Sequence, residues 1–386
     1  MRFSWAIWIA LIFLGGIWLK AVNSGKAYLD GKSLEFSTYS QSLHGTYFLG
    51  LTDCSNAAKL PIRSQLLAVD QDGQIRFQRI FENLYQMMIP LDFKSIGAGQ
   101  YGYFLGFFGY SKSWGTYHFL TSDFRELYAR PLPNFDPDLD IHDVAPARDG
   151  GLFFMFSRQT NPASQIYTEI QEWNRNGQVI FSWLSKDYLT LPDDMPSSTI
   201  DPFHVNSVEQ EPDGGLLLSL NGSSEIAKID YPSGKVLWRI SYRTWSFPND
   251  PFNGFRLQHT VRRLPNGNIL LYDNGDGSAG RPNRAVEYSL DMKARVATLV
   301  WEYRARPGEP FRSIGGSVQR LGNQHTVIGW GSPECNPYVA VPRDSTVPAH
   351  YSLPVFTEID MQGRKVRELV ADKPLVSYRV FFEETR

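Results

Sequence analysis

Cysteine is almost missing from this chain: only Cys54 and Cys335 occur in 386 residues. They can form one bridge or remain two unrelated thiols, and both readings stay open. Excess charge is missing too. The formal net charge is −2, with no block of like charge longer than a few residues, so nucleic acid is excluded as a partner for want of an electrostatic footprint. Helix signals are nearly absent after residue 20. "GAGQYG" at 97–102 holds a Gly-x-Gly that no helix follows, which makes a dinucleotide cofactor improbable. "DNGDGS" at 273–278 resembles a calcium-loop fragment but lacks the downstream glutamate, so it reads as a polar loop. "NGS" at 221–223 is a glycosylation sequon only in a eukaryotic host.

What the chain does have begins at its N-terminus. Arg2 precedes an apolar run from Phe3 to Leu19, and Lys20 closes it. As a helix this run is about 26 Å long, slightly short of a bilayer core. "LKAVNSGKA" is a poor small-x-small cleavage site, whereas Trp5, Trp8 and Trp18 suit membrane interfaces. An uncleaved signal anchor over 1–22 therefore fits better than a cleaved signal peptide, and either way the rest of the chain is exported. Hydrophobic residues at 42% and charged residues at 20% then call for a packed globular core.

A repeat lies under uneven loops. "LLAVDQDGQIRF" (67–78), "IQEWNRNGQVIFSW" (170–183), "IAKIDYPSGKVLWRI" (226–240), "AVEYSLDMKARVATLVW" (285–301) and "FTEIDMQGRKVREL" (356–369) share one pattern. Each alternates apolar and polar residues, turns near an Asp or Asn and usually a Gly, and alternates again, which marks a β-hairpin with one buried face. "FLTSDFRELYARPL" (119–132) is a degenerate sixth copy, and a second hairpin precedes the first in most copies. Two hairpins per unit and six units predict an all-β fold, a six-bladed β-propeller over 65–386, preceded by one N-terminal transmembrane helix. Residues 23–64 are expected as an extension that packs on the propeller, either closing the ring with a strand or covering one face. Paired β-sandwiches would not explain a repeated two-hairpin unit.

Three of the seven histidines fall in register with this repeat. His142 stands eight residues before Gly150, His204 ten before Gly214 and His259 eight before Gly267. Each opens the first strand of a unit, and in a propeller that strand lines the central channel. Asn206 follows two residues after His204, on the same face of a regular strand. Such a cluster suits a metal, or acid–base and nucleophilic chemistry. Metal ligation lacks a convenient carboxylate, since Asp143 would face away from His142. His44, His118, His325 and His350 have no such register and are read as structural.

The stretches "FHVNSVEQEPDGGLLLSLNGSSEIAKIDYPSGKVLWRI", "FRLQHTVRRLPNGNILLYDNGDGS" and the terminal "GNQHTVIGWG…FTEIDMQGRKVREL…SYRVF" resemble the bacterial arylsulfotransferase family over roughly residues 135 to 382. The resemblance implies a periplasmic or secreted six-bladed propeller that works without a phosphoadenosine cofactor. It implies a phenolic sulfate donor, a phenol acceptor and a ping-pong route through a sulfated histidine. By that likeness His259 holds the nucleophile's place, His204 that of the acid and base, and His142 and Asn206 help hold the sulfuryl oxygens. With the anchor, the resemblance implies a single-pass inner-membrane protein whose propeller lies in the periplasm.

Two departures stand against catalysis. Val205 replaces a threonine, and Asn221 stands where the family has an arginine after the "LLLS" strand, so a bidentate guanidinium is lost. Arg284, Arg281 and Arg158 are the candidate substitutes for sulfate binding. The alternative is a non-catalytic propeller that docks on an integral membrane complex through aromatics such as Trp245, Phe247 and Phe252. A metal or small-ligand module is the third reading.

Overall fold

The computed structural model describes residues 34–53, 62–83, 88–107, 114–127, 138–159, 165–196, 198–278, 280–309, 311–332, 352–372 and 375–385. The expected membrane helix and both cysteines, Cys54 and Cys335, lie outside them. Among the described residues no helix is long and apolar enough to cross a membrane. The one helix there is a single turn, Ser185–Tyr188.

Six antiparallel sheets form the blades of a six-bladed β-propeller. The repeated turn chemistry drives the outer hairpins. Asp70 Oδ1 accepts from the backbone N–H groups of Asp72 and Gln74 at 3.0 and 2.8 Å. Asn174 Oδ1 does the same for Asn176 and Gln178, and Asp360 Oδ1 for Gln362 and Arg364. The glycines at the third position after each, Gly73, Gly177 and Gly363, have φ near +75°, at 78, 76 and 73°, which a side chain would resist.

Ring closure uses both ends of the chain. The inner strand of blade one is the C-terminal Val380–Glu384, paired with Gly45–Asp53, which in turn pairs with Ile62–Asp70. At the other end Leu34–Thr38 adds a fifth, outermost strand to blade six through Lys365–Asp372. The segment read as an extension thus holds two strands that sit within the sheets. Blade two has three strands among the described residues, Met88–Gly97, Gln100–Phe107 and Trp114–Leu120. The degenerate hairpin at 119–132 contributes a bridge from Leu120 to Glu126.

Alternation puts large apolar residues on both faces of each blade, so every blade buries against two neighbours. Six apolar clusters result, one at each of the six interfaces. Trp245 and Phe247 belong to the cluster between blades four and five. They are 7 and 4% exposed, which corrects their reading as a docking surface. Phe252 lies under the guanidinium groups of Arg281, Arg284 and Arg304.

The closing strand is held by aromatic contacts, with the Phe382 ring 4.9 Å from that of Tyr47. Phe382→Ala is expected to cost about 3–5 kcal/mol, the usual range for a buried phenylalanine, measured by equilibrium urea unfolding. A loss below about 1 kcal/mol would show that this strand does not hold the ring shut.

Candidate functional site

The inner strands begin irregularly, and this places the histidines. His142 lies in Leu139–Pro146, whose pairing slips between Leu139 and Val144. His204 immediately precedes Val205–Gln210, which slips between Val205 and Ser207. His259 opens His259–Arg263, which slips between His259 and Arg262. His204 and Thr260 have φ of 43 and 52°, and such bulges re-aim side chains away from the alternation of a regular ladder. The His142 and His204 rings meet edge to face at 4.6 Å between centroids. Tyr378 stands 6.0 Å from the His142 ring and 6.0 Å from the His259 ring.

Each imidazole is oriented through Nδ1. His259 Nδ1 lies 2.7 Å from Asn274 Oδ1. The Asn274 amide nitrogen donates to the carbonyls of Arg312 and Gly315 at 3.1 and 2.9 Å, so its oxygen must be the atom facing His259. Nδ1 therefore carries the proton, and Nε2 is left with its lone pair. His204 Nδ1 donates to Asp201 Oδ2 at 2.8 Å, and Asp201 Oδ1 also accepts the His204 backbone N–H at 3.0 Å. His142 Nδ1 donates to Asp140 Oδ1. Asp140 is held in turn by the His142 backbone N–H and by Ser157 Oγ.

The surroundings push two of these imidazoles apart. Burial and the nearby Arg379 guanidinium hold His259 well below the usual histidine range, and the hydrogen bond to Asn274 does not offset them. Burial also works against a charged His204, but the Asp201 and Asp140 carboxylates outweigh it and raise His204. His259 is 4% exposed, and the His204 side chain is 34% exposed. One imidazole is thus biased toward its neutral form with Nε2 free, and another toward its protonated form, because their environments separate the two titrations.

The two asparagines share a structural partner. Asn206 Nδ2 and Asn221 Nδ2 both donate to the Gln258 carbonyl, at 2.9 and 3.2 Å, and Ser219 Oγ joins them at 3.2 Å. Blade four thereby grips the peptide that leads into His259. Arg284 is corrected as a sulfate ligand. Its fully buried guanidinium is bound by Asp250, Asp273, Glu302 and the Gly254 carbonyl. Arg281 is likewise taken by Asp273 and two carbonyls, and Arg158 by Asp138 and Glu169. The "DNGDGS" loop is the source of both Asp273 and Asn274, so it is a structural and orienting element.

Sequence reasoning missed the orienting groups and the cation. Asp140 and Asp201 stand two and three residues before their histidines, a spacing that was there to be read. Arg379 sits in the terminal "SYRVF" and is 1% exposed. It donates to the His142 carbonyl at 2.8 Å, the Asn206 carbonyl at 2.5 Å and Asp92 at 3.1 Å.

The six-bladed propeller thus carries three oriented imidazoles at its inner strands. The chain matches the arylsulfotransferase (ASST) family over residues 44–379 and belongs to it. It is similar to the arylsulfate sulfotransferase AssT of Escherichia coli O6:H1 (strain CFT073), 30% identical over 92 residues. That match covers 22% of this chain and 15% of the relative. Among solved structures, a protein of unknown function from Bacteroides caccae superposes with a TM-score of 0.54 at 15% identity, over 88% of this chain and 99% of that one. That likeness shows the fold. A catalytically inactive virginiamycin B lyase from Staphylococcus aureus also aligns, at 9% identity and a TM-score of 0.39, over 89% of each chain.

Titration of ¹⁵N-labelled histidines tests the separation. His259 is expected to remain the neutral Nδ1–H tautomer as pH falls below the usual histidine value of about 6.5, while His204 keeps its proton above that value. Unfolded His259 binds a proton that native His259 refuses, so this group lowers stability as pH falls through 6.5. His204 acts in the opposite sense: its contribution is complete below 6.5 and is lost as pH rises through its native value. Both titrating together near 6.5 would refute the assignment.

Proposed function

We propose that the chain moves a sulfuryl group from a phenolic sulfate ester to a phenol through a sulfated His259. The observation that carries this reading is the hydrogen bond from His259 Nδ1 to Asn274, which leaves Nε2 as the nucleophilic nitrogen. Family membership supplies the reaction class.

In the first half-reaction His259 Nε2 attacks sulfur, an N–S bond forms and the S–O bond to the aryl group breaks. The cationic His204 gives its Nε2 proton to the departing phenolate, which matters most for a poor leaving group. In the second half the now neutral His204 takes the proton of the incoming phenol. The phenol oxygen attacks sulfur, the N–S bond breaks and His259 returns to its starting form. His142, backed by Asp140, is the third imidazole available to the sulfuryl oxygens. No cofactor is called for, since both proton positions and the nucleophile come from the chain.

The anchor read over 1–22 would hold this propeller at the periplasmic face of the inner membrane. A purely scaffolding role on a membrane complex draws less support, because Trp245 and Phe247 are core residues and a scaffold has no use for three oriented imidazoles.

With 4-nitrophenyl sulfate and a phenol acceptor, double-reciprocal plots are expected to be parallel, as a ping-pong route requires. His259→Ala should lose at least about 10³-fold in kcat. His204→Ala should lose about 10²–10⁴-fold with phenyl sulfate and much less with 4-nitrophenyl sulfate. Activity should fall on the acid side as His259 gains a proton and on the alkaline side as His204 loses one. A folded His259→Ala protein within tenfold of wild type would rule the reading out.

A further inference from the structure

The family arginine position is filled by Asn221, whose amide is committed to the Gln258 carbonyl. The candidate substitutes Arg284, Arg281 and Arg158 are held by carboxylates elsewhere. A further buried guanidinium, that of Arg379, stands close to the imidazoles. Arg379 immediately precedes Val380–Glu384 and reaches across the channel to three other inner strands. It contacts Asp92 in Met88–Gly97, the carbonyl of His142 and, at 3.5 Å, Asp143 in Leu139–Pro146, and the carbonyl of Asn206 in Val205–Gln210.

Arg379 belongs to a buried ion cluster. Lys94 pairs with Asp92 at 2.6 Å and with Asp143, and Arg262 stands 3.8 Å from Asp143. Three cations, Lys94, Arg262 and Arg379, thus meet at Asp92 and Asp143, and the Glu209 carboxylate also faces Arg262. The other titratable groups facing the imidazoles are Asp140, Asp201 and Tyr378. Asp140 and Asp201 are the Nδ1 partners of His142 and His204. His259, by contrast, is backed by a neutral amide and, besides its burial, feels the Arg379 charge.

We propose that Arg379 is the positioning residue of this site: it fixes the backbone at His142 and Asn206 and supplies the fixed positive charge that the family arginine would otherwise bring. This rests on the reading of His259 as nucleophile for its catalytic meaning. Its electrostatic half does not need turnover to be seen. The Arg379 guanidinium, 5.1 Å from the Tyr378 ring that itself stands 6.0 Å from the His259 ring, opposes protonation of the imidazole and favours an anionic sulfuryl group near it. Arginine suits the task because its planar fork reaches two carbonyls and a carboxylate at once, which an ammonium cannot match in the same geometry.

The test is the ¹⁵N-histidine titration of Arg379→Gln, Arg379→Lys and Asp143→Asn, with kcat measured alongside. Arg379→Gln should move the His259 midpoint up toward the usual value of about 6.5 and shift the acid limb of the rate profile with it. Arg379→Lys keeps the charge but loses the bridging geometry, so the midpoint should stay within about half a unit while kcat falls more than about tenfold. Asp143→Asn removes a carboxylate and leaves Arg379 in place, so the His259 midpoint should move further down. An unmoved midpoint in folded Arg379→Gln, or an upward move in Asp143→Asn, would overturn the proposal. If Arg379→Gln does not fold, the opposite-signed Asp143→Asn result and the Arg379→Lys rate decide it. A wild-type protein without turnover whose midpoints shift as described would sink the sulfuryl reading and leave the electrostatic role of Arg379 standing.

Discussion

The guanidinium of Arg379 ties the ring together at its centre. It arrives on the strand that closes blade one and binds groups on blades two, three and four. Closure of the propeller and the geometry of the site are therefore one event. Until the C-terminal strand docks, the His142 and Asn206 carbonyls have no donor and Asp92 and Asp143 lack one of their cations. A buried ion cluster of this kind contributes little net stability in general. Here it defines which strands meet at the axis and in what register.

Around that node the same device recurs in three blades. Each inner strand starts with a slip in its pairing beside a histidine, and each histidine is held through Nδ1 by an acceptor. The acceptors differ, and the difference carries the chemistry. Carboxylates beside His204 favour its cation enough to outweigh burial, whereas the amide beside His259 does not offset burial and the Arg379 guanidinium, which hold His259 toward the neutral form. The Asn274 amide turns its oxygen to His259 because its own nitrogen is fixed by the Arg312 and Gly315 carbonyls.

Much of the frame was legible in the sequence, for physical reasons. The Asp-x-x-Gly turns are local, so their hairpins could be read directly, and the histidines could be counted back from the turn glycines. What was not legible depends on contacts far apart in the chain. Val380–Glu384 pairs with Gly45–Asp53, and no local pattern announces such a partner. Arg284 looked free because a sequence shows a charge without its counter-ions, and Asp250 and Asp273 lie on other segments. Trp245 and Phe247 looked exposed because aromatic loop residues carry no alternation to mark a buried face. Asn206 and Asn221 also bond a peptide carbonyl 52 and 37 residues away, a link no local pattern announces.

The central claim is that His259 Nε2 carries the transferred group, and the direct measurement is the mass of the intact protein after brief exposure to 4-nitrophenyl sulfate without an acceptor. The account predicts a gain of one sulfuryl group, about 80 Da, mapped to the peptide containing His259, and its loss on adding a phenol. A folded protein that gains no mass while releasing nitrophenolate, or that gains it equally after His259→Ala, would contradict the account.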